Sequence, residues 1–475
     1  MKYRYKGTVT VFLSLILTLI LSVIMSITES AAYAASRMKC ELAADMSLES
    51  VFAEYNRELL DRYDLYFIDT SYGSAAPSLN ELKEHMKDYI SYNIDPSKGT
   101  FSIINPADFT ALKLDSLDIT EASYASDAAG RVFKRQAIQA FEDLHGISAA
   151  KALAEKAGSM ISDYNGSGLE DEDPDEYRKQ LEEELNDIDY KVSDNPAGHV
   201  FDDREGILRH VMNTSSLSDR TIDTSSLISH RSINQGTGLH GGSVDTESFL
   251  SELMFDEYLM DKCASYTDTR SGEAAEYELE YILYGRASDK ANLRKAVEKI
   301  MLLRYGADAL YIFTDTEKRE SVKVIASVIC TLLFVPDAAD ALTELILLAW
   351  AYGESVSDTV RLLAGERVPL TKTAADWKMP LWGLIAIKAN ARPTGQKGSG
   401  FSYEDYLRVF LAAENKTMKC MRAMDVVEMN LRRTEGNGNF RMDGCVEYVS
   451  ISAVMTCRGK YRLTIDRKMS YLSDF

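Results

Sequence analysis

The sequence predicts a predominantly helical α+β protein: a long N-terminal helix running from a membrane into an external domain, a helical bundle core and a C-terminal antiparallel β-hairpin. Three observations lead there. Residues 8–27, TVTVFLSLILTLILSVIMSI, carry no charge over about 20 residues, the length that crosses a bilayer core as a helix. Residues 246–363 repeat apolar side chains at helical spacing. The tail from Phe440 to Leu472 changes to a strand-like period on either side of Arg458-Gly459-Lys460, a hairpin signature with glycine in the turn.

The apolar run follows Lys2, Arg4 and Lys6, and Glu29 is the first acidic residue. Basic flanks stay cytoplasmic, so the short N-terminus is expected inside and everything after Ile27 outside. Helical spacing then continues through Met38, Leu42, Met46, Phe52, Tyr55, Leu59 and Tyr63, with no Pro or Gly between Thr8 and Tyr63. The expectation is one unbroken helix of roughly 80 Å, half in lipid and half packed on a domain. Ala32-Tyr33-Ala34 also offers a signal-peptidase site, but the apolar run is longer than a signal core, which favours an uncleaved anchor. A lipoprotein anchor on Cys40 is set aside, because Ser36-Arg37-Met38-Lys39 before it is polar and basic.

Five segments are expected: 1–28, tail and anchor; 29–162, long helix plus a first α+β lobe; 163–245, an acidic and Ser/Thr/Gly-rich linker region; 246–400, a helical region; and 401–475, a helix followed by the hairpin. In the first lobe, Asp64 to Thr70 reads as a short strand, and Ser78 caps a helix to about Asn93. Residues 109–124 read as a strand or bulged pair of strands, and two helices follow near 125–144 and 148–164. In the linker only Tyr177 to Ile188 has helical character, and Asn213 to Ser243 is expected to be exposed. Val322 to Val335 is apolar nearly all round but too short to span a bilayer, so it is expected as the central helix of a bundle. Pro336 ends it, Asp337 can cap the next helix, and Leu342 to Leu363 hold one apolar face. Ser402 with Asp405 resembles a capping box opening a helix to about Arg433.

A net charge of −20 over 475 residues argues against nucleic acid as a partner. Six cysteines are too sparse for a disulfide scaffold, and none has zinc spacing. Cys445 and Cys457 flank a strand-like segment that would hold them some 40 Å apart if straight, so they can bond only if the chain folds back.

Catalytic signatures are few. His240-Gly241-Gly242-Ser243 has no matching nucleophile elbow, and Gly395 to Gly400 lacks phosphate-loop spacing; both read as turns. Asp171, Asp173, Asp175 and Glu182 match positions 1, 3, 5 and 12 of a calcium loop, but Glu176 stands where glycine is needed, and a solvated acidic linker explains them better. The six histidines form no ligand pair. Glu278, Glu280 and Asp289 are the acids with a conceivable role in acid/base chemistry, for which two carboxylates must converge on a cleft; capping and helix-to-helix hydrogen bonds are the simpler expectation. No catalytic, cofactor-binding or metal residue is assigned.

The segments KGTVTVFLSLILTLILSVIMSITESA and RMKCELAADMSLESVFAEYNRELLDRYDLYFIDTSYG resemble the N-terminus of an uncharacterised family of membrane-anchored proteins of Gram-positive anaerobes. ELEYILYGRASDKANL, LAWAYGESVSDTVRLLAGERVPLTKTAADW and SYEDYLRVFL, with the segment before Asn430-Leu431-Arg432, extend the resemblance over nearly the whole external part. Members are similar in layout to the pseudopilin-like proteins of tight-adherence (Flp-type) pilus systems. The resemblance implies a part in a pilus or secretion apparatus, alongside its other subunits, and implies no particular activity; with the bilayer as partner through the apolar helix and no catalytic constellation in the sequence, a non-enzymatic structural or assembly component is the expectation. One departure stands out: cutting after Gly7 would place Phe12 where prepilins carry glutamate, and Glu29 is too deep to substitute. The competing expectation is a cell-surface enzyme with its site in the helical region.

Overall fold

The computed structural model describes residues 5–73, 76–95, 110–167, 206–240 and 244–472. The chain forms two compact units: Met1–Gln136 with Ile233–Ser243 and Thr434–Phe475, and Ala137–Ser232 with Val244–Arg433. The helix expected over 177–188 and the calcium spacing at Asp171, Asp173, Asp175 and Glu182 lie outside the described residues.

In the first unit, helix α1 (Tyr5–Phe52) is continuous for 48 residues, about 72 Å at the α-helical rise. Its apolar stretch has mean hydropathy 2.6, is long and apolar enough to cross a membrane, and has none of its surface buried. From Ser36 onward the same helix turns inward, burying Cys40, Ala43, Ala44, Leu48, Val51 and Phe52. The expected run to Tyr63 is corrected: α1 stops at Phe52 and a second helix, α2 (Arg57–Tyr63), starts afresh. Asn56 is the cause. It takes an extended backbone (φ −70°, ψ 114°), and its side chain accepts the Leu59 N–H, a capping arrangement that asparagine favours and that needs no Pro or Gly.

Four strands make one antiparallel sheet. Strand β3 (Cys445–Cys457) is paired along one edge with β2 (Leu112–Tyr124), and along the other with β4 (Tyr461–Ser470) and the short β1 (Ile68–Asp69). Of the strand or bulged pair of strands expected there, β2 is a single strand, with register shifts between Leu114 and Ser116 and between Ile119 and Glu121. Leu117, Val449, Ile451, Ala453, Met455, Leu463 and Ile465 share a core with the inner half of α1 and with helix α3 (Leu79–Ile94), which contributes Leu82, Met86, Ile90 and Ile94. Ser78 caps α3 as expected, accepting the Asn80 N–H. Arg135 and Glu447 form a buried ion pair at 2.7 Å. Cys445 and Cys457 stand at opposite ends of β3, and all six cysteines are buried and free.

The described part of the stretch expected as an exposed linker, 213–240, is partly buried. Leu217, Ile222, Leu227 and Ile228 are buried, and Asn213 and Asp223 each cap a short 3-10 turn. Its last part belongs to the first unit, where Asp127 accepts the N–H groups of Gly236 (2.8 Å) and Gly238 (3.2 Å), and Arg135 donates to the His240 carbonyl (2.9 Å). A Cβ on Gly236 would lie 2.3 Å from the Ala122 carbonyl oxygen, so this close approach requires glycine.

In the second unit the Asp289–Thr314 and Thr316–Leu332 helices pack on Ala339–Leu363, Ile147–Gly166 packs on Phe249–Lys262, and Tyr403–Ala413 lies against both of the latter. The 316–332 helix is not central. Only Val322, Ala326 and Cys330 are buried, while Val324, Val328 and Leu332 face outward and Phe334, in the turn beyond, is 90% exposed. An all-round apolar sequence does not reveal that one side alone is covered. Asp337 does not cap the following helix, whose N-cap, Ala338, makes no side-chain bond. The Ser402/Asp405 capping box is present, but the helix it opens ends at Ala413, and Asn415 caps a new one, Lys416–Leu431.

Candidate functional site

The acids singled out in the sequence lie in the second unit and are all buried. Glu278 and Glu280 open the short helix Glu278–Tyr284, and Asp289 begins the next, capped by Ser288. One Glu278 oxygen accepts the Ala264 N–H (2.8 Å) and the other accepts the Asn430 amide (2.5 Å). Glu280 Oε1 accepts the Tyr266 N–H (3.0 Å) and the Tyr403 hydroxyl (2.6 Å). Asp289 Oδ2 accepts the Ser218 hydroxyl (2.6 Å) and the Glu276 N–H (3.0 Å). Asp425, not singled out in the sequence, takes the Ser229 N–H and the Tyr281 hydroxyl, each at 3.0 Å.

Loss of water dominates the electrostatics of this layer. Burial pushes Glu278 and Glu280 up to about 7 and Asp425 up to about 6, and it raises Asp289 as well. Carboxyl groups poised near neutrality have the proton affinity that acid/base work needs. Here, however, each is engaged by loop donors: Glu278 and Glu280 both hold 264–266, Asp289 holds 218 and 276, and Asp425 holds 229. These are anchoring hydrogen bonds that satisfy backbone and side-chain donors. Glu280 Oε2 and Asp289 Oδ1 remain buried without a hydrogen-bond partner.

A second buried group escaped sequence reading. Arg304 reaches Asp358 (2.7 Å) and Asp308 (3.2 Å), and Lys372 contacts Asp358 (2.8 Å), Asp308 (3.6 Å) and Glu354, with every one of these side chains fully inaccessible. Burial pushes Asp308 up to about 8, against the opposing pull of Lys372 and Arg304. With Asp308 protonated, two carboxylates balance two cations, which is the cheapest charge state for a dry interior. The available signal was a pair of i, i+4 spacings, Arg304/Asp308 and Glu354/Asp358, inside otherwise apolar helical faces.

The remaining motifs behave as turns. Glu366 accepts the Gly395 N–H (2.6 Å), and Arg367 and Val368 pair with Lys397 and Phe401 across the loop. His240 stacks on Tyr448 at 4.4 Å; Gly241 to Ser243 lie outside the described residues. Among the described residues no group of three or more His, Cys, Asp or Glu side chains is placed to hold a metal ion.

A family model, described as a family of unknown function (DUF5702), matches residues 189–457, more than half of the chain, and the protein belongs to that family. No curated protein and no solved structure matches it.

Proposed function

We propose that this member of the DUF5702 family is a single-pass membrane-anchored surface protein that acts, without enzymatic activity, as a structural or assembly component of a pilus-like or secretion apparatus. One observation carries the reading: a single 48-residue helix has a bare apolar half followed, without a break, by a half that forms the core of an antiparallel-sheet domain. A flexible tether would hold a head at a membrane equally well. A rigid continuation instead fixes the direction of the head relative to the bilayer, which matters for a part that must dock in register with other subunits. The engagement of Glu278, Glu280, Asp289 and Asp425 by loop backbone and side-chain donors favours this over the cell-surface enzyme.

Photo-crosslinking tests it. A photoreactive residue at Leu17 or Leu21 in the producing cell should give discrete adducts with pilus or secretion subunits, whereas adducts with lipid alone would refute the assembly role. Orientation is tested separately with Glu155→Cys and an impermeant thiol reagent. Since the native thiols are buried, labelling on intact cells is expected, and protection until lysis would overturn an external head.

A further inference from the structure

The turn of the C-terminal hairpin lies where the apolar helix ends. Lys460 Nζ and the Tyr461 hydroxyl both reach the Glu29 carboxylate at 2.5 Å, and the Tyr461 ring packs edge-on against Tyr33 with centroids 5.3 Å apart. Glu29 is only two residues beyond Ile27, the end of the uncharged run, a rise of about 3 Å along the helix axis. The level of the turn is therefore set by direct contact with the helix.

The side chains at that level are basic and aromatic. Arg458, Lys460 and Arg462 are all exposed, and Arg462 and Lys113 flank Thr456 on neighbouring strands, both exposed. Among the described residues, the nearby acids are Glu29, already paired with Lys460, and Asp115, which accepts the Thr456 hydroxyl. Four cations against two acids among the described residues of this edge is a reversal of sign in a chain of net charge −20. Tyrosines at the level where a helix leaves the hydrocarbon are the usual interfacial anchors.

We infer that Arg458, Lys460, Arg462 and Lys113 form a contact surface for the anionic phospholipid headgroups of the leaflet from which α1 emerges, seating the head directly on the bilayer. The inference rests on the anchor reading of α1. Three facts select lipid as the occupant: the patch is continuous with the apolar helix, its charge complements phosphate, and its turn meets the helix at Glu29, about 3 Å beyond the helix's apolar end and well inside the Debye length of about 8 Å.

Depth-dependent fluorescence quenching tests this with the full-length chain in vesicles. Thr464→Cys places a dye on β4 close to the turn, and Asn80→Cys places one at the opposite end of the first unit, since α3 runs antiparallel to α1 with Ile94 beside Lys39. The buried native thiols leave each introduced cysteine as the labelling site. In phosphatidylcholine vesicles containing phosphatidylglycerol, headgroup spin-labelled lipid should quench the dye at 464 and leave that at 80 nearly untouched. A basic residue at an anionic surface is worth about fivefold in the contact equilibrium. The triple variant Arg458→Gln, Lys460→Gln, Arg462→Gln should then weaken contact by roughly a hundredfold, as should phosphatidylcholine alone or high salt on the unaltered chain. Quenching at 464 that ignores lipid charge, salt and the substitutions overturns the headgroup contact while the anchor stands. Release of the chain from the vesicles by alkaline carbonate overturns the anchor, and the contact with it.

Discussion

Replacing Glu280 by glutamine should stabilise the second unit in a pH-dependent way. The Glu280 side chain is fully buried, and burial pushes its carboxyl from 4.5 up to about 7. Between those values the folded state holds a proton that the unfolded state has released, so stability falls as pH rises from about 4.5 and levels off above about 7. The gap corresponds to ~3 kcal/mol at ~1.4 kcal/mol per pH unit. Glutamine keeps an acceptor for the Tyr266 N–H and the Tyr403 hydroxyl and is neutral at every pH. Near pH 4.5 the variant should match the parent within about 1 kcal/mol, the scale of one altered hydrogen bond, and by pH 8 it should be more stable by ~3 kcal/mol. The assay is urea unfolding between pH 4.5 and 9 followed by tryptophan fluorescence. The three tryptophans, Trp350, Trp377 and Trp382, all belong to the second unit, so the signal reports that unit alone. Glu278, Asp425 and Asp308 contribute slopes of the same sign, but they are common to both proteins and cancel in the difference. Parallel stability profiles for parent and variant would refute the assignment of a neutral, buried Glu280.

Phe52→Ala empties a core site where α1 meets the sheet and should cost ~3–5 kcal/mol in the first unit, read by far-UV circular dichroism; a chain beginning at Ala31 should remain soluble and folded, whereas one beginning at Asp64 should not fold. Lys372→Met leaves Asp308, Glu354 and Asp358 with Arg304 as their main counter-charge, and should lower stability by ~3–5 kcal/mol, measured by the tryptophan unfolding assay. Asn415→Ala removes the cap that accepts the Met418 N–H and should cost about 1 kcal/mol by the same assay.

Features specified by neighbouring residues were legible in the sequence. The charge-free run before Glu29, the Ser78 cap, the Ser402/Asp405 capping box and the Gly459 hairpin each depend on a few consecutive residues, and the structure contains all of them. The two helices read as too long failed for one shared reason. Asn56 and Asn415 cap new helices from within helical patterns, so the absence of Pro and Gly was an insufficient criterion. Of the candidate site, the sequence showed Glu278, Glu280 and Asp289 as acids on a helix that turns, and their use as acceptors for distant loops was not visible.

By itself the sequence determined the long apolar N-terminal helix, the helix and strand periods, and the acidity of the chain, because length, spacing and charge are local quantities. Tertiary structure decided which faces are covered: it left Val324, Val328 and Phe334 in solvent while drawing Ile222 and Leu227 out of a polar stretch into the interior. It also decided that β3, from the far end of the chain, lies between β2 and β4 over the inner half of α1. The pairing of β2 with β3 and the burial of Arg135 against Glu447 join residues hundreds of positions apart, and no local pattern encodes the partner.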